Sequence, residues 1–88
     1  MCTYATVQTE IDGSAKAPGG RWRHVRQATV YFDHPVHALA EHTLNIDVTP
    51  DPSDPSARIA MELTAGSARA LVEAINAALA SAPAELTA

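Results

Sequence analysis

The chain has one cysteine, Cys2, one lysine, Lys16, and few aromatic residues: Tyr4, Trp22, Tyr31 and Phe32. A lone cysteine excludes an internal disulfide. No apolar run reaches membrane-spanning length and no basic-apolar-small leader pattern opens the sequence, so the expectation is a cytoplasmic protein without a membrane partner. The ordinary metal and phosphate frameworks, CxxC, HExxH and GxxxxGK[ST], are also missing. Positive charge is scarce: six Lys and Arg against ten Asp and Glu give a formal charge of -4. Phosphate-dominated binding needs clustered cations, so no nucleic-acid partner is expected. The local exception is Arg21, Arg23 and Arg26 around Trp22 and His24. That patch reads as a solvated strand entrance in preference to a grip on phosphate or carboxylate.

What the chain does have is 88 residues that are 47% hydrophobic, with much of that content alanine. Such a length supports one domain, spanning 1–88, whose core is thin because small domains bury a smaller share of their surface. A thin core with few aromatics favours covering an apolar face by self-association, and a homodimer is expected.

Alternation with period two places strands over 4–11, 23–33, 43–48 and 58–63. In the third, Leu44, Ile46 and Val48 alternate with Thr43, Asn45 and Asp47; in the fourth, Ile59, Met61 and Leu63 alternate with Arg58, Ala60 and Glu62. Residues 12–20 concentrate Gly, Ser, Pro and Asp and read as a loop. The three prolines within 49–56 cannot donate to a ladder and mark an exposed connection between two antiparallel strands. The period then changes to helical over 66–81, with Ala68, Leu71, Val72, Ile75 and Leu79 on one stripe. Thr64 or Ser67 can cap its start and Pro83 stops it, leaving 83–88 as a frayed tail. The fold class is α+β: a four-stranded antiparallel sheet with one C-terminal helix, ββββα.

The main chemical lead is the run from Asp33 to His42, which holds three of the four histidines. His34, His37 and His42 carry metal-competent imidazoles, Cys2 is a candidate fourth ligand, and Asp33 and Glu41 can fix imidazole tautomers. Nitrogen and sulfur donors in that ratio suit zinc best, with iron or copper as alternatives that geometry would select. The same segment also offers metal-free acid-base or ligand-binding chemistry, using His37 or His42 with Asp33, Glu41 or Tyr31.

Met1-Cys2-Thr3-Tyr4, the run Ala28 to Ala38 containing Asp33-His34-Pro35-Val36-His37, and Glu41-His42-Thr43-Leu44-Asn45-Ile46-Asp47 together resemble a small family of uncharacterised actinobacterial proteins. The resemblance spans most of the chain and implies a bacterial source, without an activity to carry over. The functional expectation is therefore a small metal-binding protein, with a metalloenzyme acting on a small molecule as its extension. The competing reading is a non-enzymatic dimeric interaction module whose histidines are structural.

Overall fold

Alternating side chains on four successive extended runs produce a sheet with two unlike faces. The computed structural model describes residues 4–51 and 53–88. Its strands are β1 (Thr6–Lys16), β2 (Trp22–Asp33), β3 (Thr43–Thr49) and β4 (Ile59–Leu63), all antiparallel and ordered β1-β2-β3-β4. The helix α1 (Ala65–Ser81) follows directly, and short 3-10 turns occupy Pro55–Ala57 and Ala84–Leu86. The α+β class, the strand order in sequence and the single long C-terminal helix agree with the expectation from periodicity. Cys2 lies outside the described residues.

Cross-strand pairs define the faces, because directly opposed residues project to the same side. One row runs Val7, Val30, Ile46, Met61; the neighbouring row runs Thr6, Tyr31, Asn45, Glu62. The first face is apolar and the second polar. The polar face is nevertheless the better covered at one end, where Thr43 is 1% exposed and Asn45 5%. Buried hydrophobic side chains among the described residues amount to Val25 and Ala28.

The first strand differs from its expected extent, continuing to Lys16 where a loop was read from Asp12 onward. The register shifts between Glu10 and Gly13, an irregularity that lets the strand pass its glycine and resume pairing, Gly13 with Val25 through Lys16 with Trp22. The turn is confined to residues 17–20, where Gly20 N–H donates to Ala17 C=O over 3.0 Å. Pro18 and Gly19 occupy its centre, and Gly19 has a φ of +89°, the arrangement of a type II turn. Since β3 pairs with β2 over Gln27 to Asp33 only, the outer part of this hairpin projects beyond the third strand.

The helix begins where the chain offers it a cap. Thr64 Oγ1 accepts from Ser67 N–H at 3.2 Å, satisfying one of the unpaired amides of the first turn. Beyond that turn α1 packs lightly: its main contacts are with β3 and β4, and none of its residues is buried. Replacing the cap by Thr64→Ala should lower the unfolding free energy by about 1 kcal/mol. Thr64→Ser should remain near the parent, both read from urea denaturation; equal losses for the two variants would assign the effect to something other than the cap.

Candidate functional site

The segment between β2 and β3 contains no regular structure, so its backbone amides need partners from elsewhere. Glu62 provides them. From the polar face of β4 its carboxylate accepts from Val36 N–H, from His37 N–H at 3.1 Å and from Ala38 N–H at 2.8 Å. These bonds, Ala38 and Val36 foremost, hold the Glu62 carboxyl below its usual range despite some desolvation. The ends of the loop are tied separately: His34 N–H donates to Asp33 Oδ1 at 2.7 Å, and the His34 Nδ1–H points to the Glu41 carbonyl at 3.1 Å.

The histidines serve this loop in different ways. His42 stacks on Phe32 with ring centroids 5.7 Å apart, and the His34 ring lies 4.4 Å from that of His42. Tyr4 extends the cluster through Phe32, with ring centroids 6.0 Å apart. His42 Nε2 is buried and has no hydrogen-bond partner among the described residues. His37 instead meets Glu62 through its backbone amide, and its side chain lines the adjoining pocket.

The metal-binding function expected of His34, His37 and His42 is corrected by this arrangement. Among the described residues, no three His, Cys, Asp or Glu side chains gather so as to hold a metal ion. The physical reason is local: His34 Nδ1 is engaged by a carbonyl, His42 packs face-on against Phe32, and the Glu62 carboxylate is occupied by amides.

Beside the loop lies an open pocket of about 540 Å³ between the loop and the polar face. Its central group is Asp47, which accepts from Tyr31 Oη–H at 3.1 Å and from Arg58 Nη1–H at 3.3 Å. Burial, followed by the hydrogen bond and charge of Asp47, raises the Tyr31 phenol above its ordinary value. Asn45 also lines the pocket. Its carbonyl oxygen accepts from the Thr43 hydroxyl at 2.6 Å. Val36, Ala38, Ala60 and Met61 supply apolar wall.

Sequence reasoning located the loop and named Tyr31 as a partner, but missed Asn45, Asp47, Arg58 and Glu62. The available signal was the shared phase of Asn45 and Asp47 on β3 with Glu62 on β4 and Arg58 just before it, which becomes a site once the strand register is known. The arginine cluster falls on the projecting β1-β2 hairpin, where Trp22 is exposed and His24 Nε2 lies 2.9 Å from Asp12 Oδ1.

Fold and site together define a sheet-and-helix protein whose inter-strand loop borders a polar pocket. The chain belongs to a family of unknown function, DUF6295, whose model matches residues 1–88. No curated protein and no solved structure matches it. No helix among the described residues is long and apolar enough to cross a membrane.

The loop anchor has a pH signature. A carboxyl with a depressed folded pKa contributes stability that is present above its unfolded value and lost as pH falls through the folded value. The amides of Val36, His37 and Ala38 should therefore shift together in NMR spectra with a midpoint below 4.5, the ordinary Glu value. Glu62→Gln should speed their hydrogen exchange at neutral pH; unchanged exchange would remove Glu62 as the anchor.

Proposed function

We propose that this chain is a binding module for a small, neutral molecule bearing a carbonyl-type acceptor, held in the pocket between the loop and the polar face of the sheet. The observation that carries the reading is the pocket itself, where the polar side chains of Asn45, Asp47 and Arg58 converge beside an apolar wall. A concave site with an apolar lining and a few convergent polar groups is the ordinary form of a small-molecule site. The remaining guanidinium hydrogens of Arg58 add donors at the same site, since only one Arg58 nitrogen is engaged by Asp47.

Charge narrows the ligand further. Asp47 and Glu62 both border the pocket, and Arg58 offsets one of them, so an anionic ligand would meet a residual negative field. The apolar wall suits a molecule that also carries hydrocarbon. Binding is favoured over acid-base catalysis because both carboxylates already accept hydrogen bonds from the protein. The actinobacterial source and cytoplasmic setting expected from the sequence belong to the same proposal.

A fragment screen by 15N-resolved NMR tests it, using amides, lactams and small carboxylates as probes. Neutral carbonyl fragments should shift resonances of Val36, Ala38, Asn45 and Arg58 at millimolar concentration, and Arg58→Leu should weaken the response severalfold. A library in which only carboxylates bind, or in which no fragment perturbs these residues, would reject the assignment.

A further inference from the structure

The apolar stripe of α1 is left open by its own chain. Val72 is 57% exposed, Ile75 51% and Leu79 53%, and Leu71 joins them on the same side of the helix. The sheet shows the same deficit at Val7 and Met61, which belong to one apolar cross-strand row. The total accessible surface of the chain is 6644 Å². A folded monomer of 9.3 kDa should expose about 5,000 Å². The radius of gyration, 14.5 Å, likewise exceeds the roughly 12 Å of a compact domain of this length.

From this excess we infer that α1 is the central element of an obligate two-fold homodimer, its apolar stripe covered by a second copy of this chain. The area fits. An excess of roughly 1,700 Å² on each chain, part of it on the projecting β1-β2 hairpin, sets an upper bound of about 3,400 Å² on the total, above the roughly 2,000 Å² at which obligate homodimer interfaces begin. The chemistry fits as well, because Arg69 and Glu73 are the only charged residues on the helix and the stripe offers an apolar partner nothing to pair electrostatically.

The choice of a second copy follows from the shortage inside the chain. With Val25 and Ala28 as the buried hydrophobics among the described residues, the cover contributes to folding itself and must be present whenever the chain is. A twin chain meets that requirement at fixed stoichiometry, and a closed two-fold contact buries the identical stripe on both partners. This inference is independent of the pocket reading, which concerns the polar face.

Sedimentation or light scattering of the full chain at micromolar concentration should give twice the single-chain mass. The unfolding midpoint should rise by a few degrees for each tenfold increase in protein concentration, as linkage requires when folding and association are coupled. Ile75→Glu and Leu79→Glu should each produce monomer or unfolded chain at concentrations where the parent is dimeric, whereas Arg69→Gln should leave the mass unchanged. A parent that runs as a monomer with a concentration-independent midpoint overturns the proposal, as does an Ile75→Glu variant that retains both the dimer mass and the parental midpoint.

Discussion

The Glu62 carboxylate gathers three consecutive loop amides from a segment 24 to 26 residues away in sequence. An irregular loop normally spends its amides on water, but this one is folded against a strand and needs acceptors supplied by that strand. An ionised carboxylate suits the task because its two oxygens offer several lone pairs and charge-assisted bonds are stronger than neutral ones. The loop so held supplies His34, Val36, His37 and Ala38 to the wall of the pocket. The local order of the polar face thus depends on a single side chain at the sheet edge.

The covered end of that face is polar in composition yet dry enough to impose pairing. Thr43 donates to Asn45, and Tyr31 from β2 and Arg58 from just before β4 converge on Asp47. The Thr43–Asn45 bond lies within β3, but the contacts of Tyr31 and Arg58 with Asp47 depend on the strand register, and a one-residue slip would send these groups to opposite faces. The apolar face carries less such information, since one aliphatic residue can replace another in a row with modest cost. Polar pairing therefore distinguishes the correct register more sharply than the aliphatic rows do.

Much of the fold was legible because its periods are simple. Leu44, Ile46 and Val48 alternate without interruption, and Leu71, Val72, Ile75 and Leu79 switch to helical spacing after a threonine cap. The extent of β1 was not, because Gly13 and Ser14 carry turn propensity that pairing with Val25 and His24 overrides. At the site, the histidine run drew attention to the correct segment but suggested the wrong chemistry. Imidazole spacing says what could converge, whereas ring direction depends on Phe32 and on a carbonyl seven residues along the loop. Glu62 was hidden for a related reason: in isolation, an outward-phase glutamate on an edge strand looks like a solvated charge.

The order β1-β2-β3-β4 places every strand beside its neighbour in sequence. No strand must wait for a distant segment before its ladder can close, and each connection costs the entropy of a short or moderate loop. Such a meander has low contact order for an all-antiparallel sheet, a property associated with faster folding than in topologies that interleave distant strands. During synthesis, successive hairpins can zip in the order in which the ribosome delivers them, with the helix emerging only after the last strand of the sheet.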